Sequence, residues 1–371
     1  MKIVALVLAS FFVMFSALFS AGGQTIKIGS IFAKTGKTFV NNRTTFEGIR
    51  FAVQEINKNG GLLGKQLELL EFDNQSSAIG SKIAAKKAVK AGVITVFGAN
   101  WSSHSLAAAP VLQGAGIPMI TPLSTNPKVT LVGDYIFRVC YIDSFQGEVM
   151  ANFAFHDLKA KNAAVLINAN SKYSEGLAKF FIQSFKGQGG KILFEANYLE
   201  QTADFSFLID KIKSLQPEVV FLPGHSKDSA FIIKQARDNG LSTTFLGGDG
   251  WDGVMYMMVG NAIEGSFFTD HWHKDRSSDA NYKFVASYKE HSVEPDAVDA
   301  LTYDSVQLFA DAVRRAGSFQ PDKIRDALAA TDTFEGVTGI IDLDKNGDPV
   351  KSAVILKFDK GAIVYVKSVD P

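Results

Sequence analysis

Short apolar runs alternate with amphipathic stretches from Thr25 to Gly250, and this alternation constrains the chain more than any other feature. Residues 25–32, 67–72, 93–98 and 117–121 read as strands, and so do 163–168, 191–198, 219–223 and 244–248. Helices are expected to begin near Thr45, Gly80, Ser103, Phe145, Ser174, Phe205, Lys227 and Tyr282. Short strands separated by helices imply βαβ units and parallel sheets. The order restarts after Tyr141, so two Rossmann-like lobes are expected rather than one large sheet. A length of 371 residues fits that division at roughly 100–200 residues per domain.

The two ends differ from this pattern. Toward the C-terminus, helical stretches at 300–316 and 321–330 precede 336–342 and 353–357, which read as antiparallel strands joined by the Asn346-Gly347 turn. At the N-terminus, Lys2, an apolar run from Ile3 to Phe19 and the small residues Ser20-Ala21-Gly22-Gly23 follow the order of a secretory signal peptide. Residues 1–23 are therefore expected to be removed on export. The alternative is a membrane anchor, for which the run is at the short end of a bilayer span.

Composition excludes several classes. Lys+Arg and Asp+Glu both number 38, whereas a protein built to neutralise nucleic-acid phosphates or an anionic membrane should be clearly basic. The single cysteine, Cys140, rules out an internal disulfide and a cysteine-rich zinc site. In an oxidising compartment it is expected to be buried and inert.

A ligand in such a fold binds beyond the carboxyl ends of the parallel strands. After residues 93–98 come Trp101, Ser102 and Ser103, with Ser102 or Ser103 expected to cap the next helix. The unpaired first amides of that helix suit a carboxylate, although a plain cap has the same sequence. Ser124 and Thr125 follow residues 117–121 and offer two hydroxyls, or only a Ser/Thr turn before Pro127. Tyr173 precedes a helix and offers a ring over a ligand, or simple packing. His225 follows 219–223 and reads as a pocket wall or hydrogen-bond donor. Asp249 lies between Gly248 and Gly250, where a carboxylate pairs naturally with a ligand ammonium. Amides and hydroxyls for an anion, with Asp249 for a cation, describe the two ends of an α-amino acid.

Other signals fail. Asp342, Asp344, Asn346 and Gly347 resemble the start of a calcium loop, but the twelfth position holds Ala353 instead of glutamate. His271 and His273 are read as facing the same way along a strand, with no third metal ligand evident. The glycines at 60, 61 and 64 follow a helix rather than opening one, the wrong context for a dinucleotide. No Gly-x-Ser-x-Gly elbow is present. No catalytic residue, cofactor or metal is expected.

Several motifs together resemble the branched-chain amino-acid-binding proteins of ABC transporters. They are Ile26-Lys27-Ile28-Gly29, Phe46-Glu47-Gly48, Glu55-Ile56-Asn57 with Gly60-Gly61, and Gly98 followed by Ser102-Ser103. Pro122 with Ser124 to Pro127, Tyr173 with Glu175-Gly176, Phe205-Ser206, Gln235-Ala236-Arg237 with Gly240, and Thr302 to Val306 continue in the same order. The resemblance spans the chain beyond the leader. It implies an α/β type I periplasmic binding protein with two Rossmann-like lobes and a three-crossing hinge. It places the first lobe at 24–143 plus 273–350, and the second at 144–272 plus 351–371.

The resemblance further implies a periplasmic, monomeric receptor that hands a small-molecule ligand to a membrane permease. Ser102, Ser124 and Thr125 correspond to first-lobe ligand contacts, and Tyr173, His225 and Asp249 to second-lobe contacts. Relatives carry an aromatic at the place of His225, and some have a disulfide where this chain reads Ser76 and Trp101. Trp101, Trp251, Asn41, Phe39 and Arg43 are accordingly expected near the pocket mouth. An amide or carboxylic-acid receptor or sensor on the same scaffold is the alternative. An exported α/β enzyme is another, resting on His225 and Asp249 at neighbouring strand ends.

Overall fold

A computed structural model describes residues 25–37, 43–290 and 294–371. The expected leader, Phe39 and Asn41 lie outside the described residues, as does the side chain of Arg43. The strands are β1 (Ile26–Phe32), β2 (Leu67–Asp73), β3 (Val96–Gly98), β4 (Met119–Thr121), β5 (Ile136–Arg138), β6 (Asn162–Asn168) and β7 (Lys191–Tyr198). They continue with β8 (Val219–Phe221), β9 (Thr244–Gly247), β10 (Phe267–Asp270), β11 (Phe334–Gly336), β12 (Gly339–Ile341), β13 (Ala353–Asp359) and β14 (Ala362–Val369). The helices are α1 (Arg43–Lys58), α2 (Ala78–Ala91), α3 (Ser102–Gly114), α4 (Asp143–Asn152), α5 (Lys172–Gly187) and α6 (Ser206–Leu215). After these come α7 (Ser226–Asp238), α8 (Val254–Val259), α9 (Asp279–Lys289), α10 (Ala297–Ala316) and α11 (Pro321–Ala329).

Two sheets organise these elements. The first is wholly parallel, in the order β2-β1-β3-β4-β5. The second runs β14-β13-β10-β9-β8-β6-β7, parallel from β10 to β7 and antiparallel at β13 and β14. Successive strand residues face opposite sides, so each sheet has two cores. Ile28 and Phe32 of β1 pack with Ile49 of α1 and Phe309 of α10, whereas Ile31 packs with Ala84 of α2 and Leu112 of α3. In the second sheet Leu166 meets Ile233 of α7, while Val165 on the other face meets Phe181 of α5.

The chain passes between the sheets three times: between β5 and α4, between β10 and α9, and between β12 and β13. Buried polar contacts pin the crossings together. The Arg138 guanidinium lies 2.6 Å from the Asp348 carboxylate and donates to the Asn126 carbonyl (3.0 Å). Lys351 donates to the Val139 carbonyl at 3.0 Å, and burial lowers its pKa to about 8.

Two sequence expectations need correction. Residues 336–342 and 353–357 do not pair with each other: β12 pairs with β11, and β13 lies between β10 and β14 in the second sheet. The turn at Asp344–Asp348 is a local one, closed by the Asp344 carboxylate on the amides of Asn346 (2.8 Å) and Asp348 (3.0 Å), and the third crossing follows it. His271 and His273 do not share a face either, because β10 ends at Asp270. His271 is fully buried against Asp249, whereas His273 packs near Tyr365. Cys140 is buried, and burial pushes its thiol up to about 12.

Candidate functional site

The carboxyl ends of β3 and β9 face each other across a cavity between the sheets. About 70 Å³ of it is open to the centres of water-sized molecules, and it is lined by Asn100, Trp101, Ser102, Leu123 and Val298 from the first lobe. Tyr173, His225, Asp249, Gly250 and Asp252 line it from the second.

On the first-lobe side, the loop from Ala99 to Trp101 is held from below. The Thr121 hydroxyl donates to the Ala99 carbonyl (2.6 Å), and Ser105 accepts from the Ala99 amide (3.0 Å). The Ser124 hydroxyl contacts Ser105 (2.7 Å) and the Ala99 carbonyl (2.9 Å), so it braces this loop rather than lining the cavity. Trp101, not a serine, occupies the N-cap of α3, and no side chain caps that helix. The first amides of a helix lack the usual i−4 partners; here the His104 amide turns back on the Trp101 carbonyl (2.9 Å), and Ser102 at the helix start lines the cavity. Ser102 is the first helical residue, and its hydroxyl accepts from the Asn126 amide at 3.2 Å. Thr125 is buried beside Asp143 at the first crossing, with its carbonyl accepting from the Asp143 amide (2.9 Å).

On the second-lobe side, Asp249 is the centre of a hydrogen-bonded group. Gln146 donates to one carboxylate oxygen (2.7 Å), and His271 Nε2 lies 3.0 Å from the other. The Tyr173 hydroxyl also reaches the carboxylate, and it accepts from the Gly250 amide at 3.1 Å. Burial works to raise the Asp249 pKa, but the bonds from His271, Gln146 and Tyr173 outweigh it, and the group lies below its usual value. The neighbouring glycines serve this packing: a Cβ on Gly248 would sit 2.5 Å from the Tyr173 hydroxyl, and one on Gly250 would sit 2.7 Å from the Gly224 carbonyl.

The lobes meet over the cavity. His225 stacks on Trp101 with ring centroids 4.2 Å apart, and its own pKa is lowered by burial. Ser103 accepts from the Lys172 amide (3.1 Å), and Asn126 donates to the Lys172 carbonyl (2.6 Å). Lys37 pairs with Glu200 at 2.5 Å. Beyond the Trp101–His225 stack is an outer chamber that includes Ser103 and His104.

Of the sequence-read residues, Ser102, Trp101, Tyr173, His225 and Asp249 line the cavity. Ser103 borders the outer chamber, and Ser124 and Thr125 lie behind the lining. Trp251 is misplaced by sequence reasoning. A turn closed by its amide on the Gly248 carbonyl (3.1 Å) directs its indole into the second-lobe core, against Phe268 and Phe358. Asn100, Leu123 and Asp252 adjoin residues that were singled out, so proximity was their only signal. Val298 comes from the start of α10, which is set by a capping box between Asp296 and Asp299, and its sequence gives no hint of the site.

The periplasmic binding protein family model matches residues 25–362. This chain belongs to that family. Members are binding proteins of transporters that work in the periplasm. The leucine-, isoleucine-, valine-, threonine- and alanine-binding protein of Pseudomonas aeruginosa is 30% identical over 337 residues, covering 90% of this chain and 89% of the relative. Among solved structures, the leucine-binding protein LivK of Thermotoga maritima superposes with a TM-score of 0.90 at 36% identity, covering 94% of this chain and 99% of that one. The branched-chain amino acid transporter substrate-binding protein LivJ of Streptococcus pneumoniae, solved with isoleucine, gives a TM-score of 0.88 at 30% identity, covering 94% and 100%. As a type I periplasmic binding protein, the chain has two Rossmann-like lobes and a three-crossing hinge.

Proposed function

We propose that this periplasmic binding protein captures an apolar α-amino acid, with leucine and isoleucine as the leading ligands, and delivers it to an ABC permease. The observation that carries the reading is the pairing, in one interlobe cavity, of the uncapped start of α3 with the Asp249 carboxylate. The helix start and Ser102 receive the ligand carboxylate. Asp249 and Tyr173 receive the ammonium, through charge-assisted hydrogen bonds. Leu123 and Val298 cover the side chain, and Trp101 and His225 close the outer wall. The names of the relatives support the same ligand class.

Ligand contacts to both lobes favour the shut form, so binding shifts the population toward closure. The lobes divide near residues 143, 272 and 350. The protein acts as an exported monomer after removal of residues 1–23, and it performs no catalysis.

A thermal-shift panel on ligand-stripped mature protein tests the proposal, with the twenty amino acids set beside their des-amino acids and short amides. A cognate ligand at about 100 times its dissociation constant adds roughly 2.7 kcal/mol, a readily visible shift. Stabilisation by leucine or isoleucine and not by the acids lacking an amine is expected. Stabilisation by aromatic or aliphatic acids alone would favour the carboxylic-acid receptor, and by amides alone the amide receptor.

A further inference from the structure

Asp249 is fixed from behind by residues that leave the hinge. Gln146 lies in the first helical turns after the first crossing, and His271 follows β10 at the second. The Gln146 amide nitrogen donates to Asp249 (2.7 Å) and to the Thr269 hydroxyl (2.9 Å). A carboxylate only accepts, so the amide cannot be turned to present its oxygen there.

The same reasoning places the proton of His271 on Nε2, facing the carboxylate 3.0 Å away. Its Nδ1 is buried with no partner among the described residues, and the ring packs on Tyr141 with centroids 3.7 Å apart. Burial lowers the His271 pKa, Lys351 opposes protonation further, and only Asp249 favours it. A neutral ring matters, because an imidazolium would cancel the charge that a ligand ammonium needs.

We infer that His271 and Gln146 are positioning residues: they orient the Asp249 carboxylate toward the ligand ammonium and tie amine capture to two of the three hinge crossings. This inference rests on the amino-acid reading above. Neither side chain lines the cavity, so both act through Asp249. Their loss should therefore weaken recognition of the amine while leaving contacts to the rest of the ligand in place.

Calorimetric affinities for L-leucine and for 4-methylpentanoic acid, the same skeleton without the amine, test this in wild type, His271→Ala and His271→Gln. Wild type should prefer leucine by about 100-fold or more, as expected when a buried charge is left without its partner. His271→Ala should reduce that preference by about tenfold, with the acid bound as before. Glutamine can place a donor near the position of Nε2, so His271→Gln should restore most of it. If His271→Ala does not fold, Gln146→Met carries the same expectation. An unchanged preference, or an equal loss for both ligands, overturns the positioning role. A wild type with no preference for the amine overturns the amino-acid reading and this inference with it.

Discussion

Trp101 of the first lobe lies flat on His225 of the second, with centroids 4.2 Å apart and planes 11° apart, and Tyr173 stacks on His225 at 5.3 Å. This three-ring stack joins the lobes and separates the inner cavity from the outer chamber. Aromatic pairs contribute about 0.5–1.5 kcal/mol beyond the area they bury. Trp101→Ala is accordingly expected to weaken ligand binding by about tenfold or more, mainly through faster release. Surface plasmon resonance separates the two rates, and a slower association with unchanged release would contradict the closing role.

The tryptophans also make closure observable. Trp251 and Trp272 are 1% and 3% exposed inside their lobes, and only Trp101 faces the cleft. A ligand-dependent change in tryptophan emission should persist in Trp251→Phe and vanish in Trp101→Phe. Persistence of the signal in Trp101→Phe would mean that a lobe interior rearranges.

Asp143 gives a pH-dependent prediction. It is fully buried at the first crossing, and burial pushes its pKa well above the usual carboxyl range. A carboxyl whose folded pKa is raised contributes fully below its unfolded pKa, near 3.8. That contribution is lost as pH rises through the folded value. Asp143→Asn keeps the shape without the ionisation, so it should raise the melting temperature at pH 7 by about 1–2 °C for each kcal/mol recovered. At pH 3.5 the two proteins should melt alike. A destabilised variant at pH 7 would show that the charged form is needed.

Much of the fold is legible because parallel strands buried on both faces read as short, nearly continuous apolar runs, as β6 and β9 do. β5 and β10 are short strands that end in polar residues at the hinge, the fully buried Arg138 and the partly buried Asp270, so their pattern resembles a loop. The third crossing was misread because a local Asn-Gly turn says nothing about which sheet the following strand joins. At the site, Asp249 was legible from its strand end and flanking glycines. Its supports were not: Gln146 lies inside a helix and His271 beside a second histidine that points elsewhere. Trp251 failed because one tight turn decides which way an indole points.

Calorimetric titration of ligand-stripped wild type and Asp249→Ala with L-leucine and L-isoleucine tests the central claim most directly. Wild type should bind at least one of them, and Asp249→Ala should show no measurable binding while still unfolding in a cooperative ligand-free transition. Equal affinity in the two proteins would contradict it.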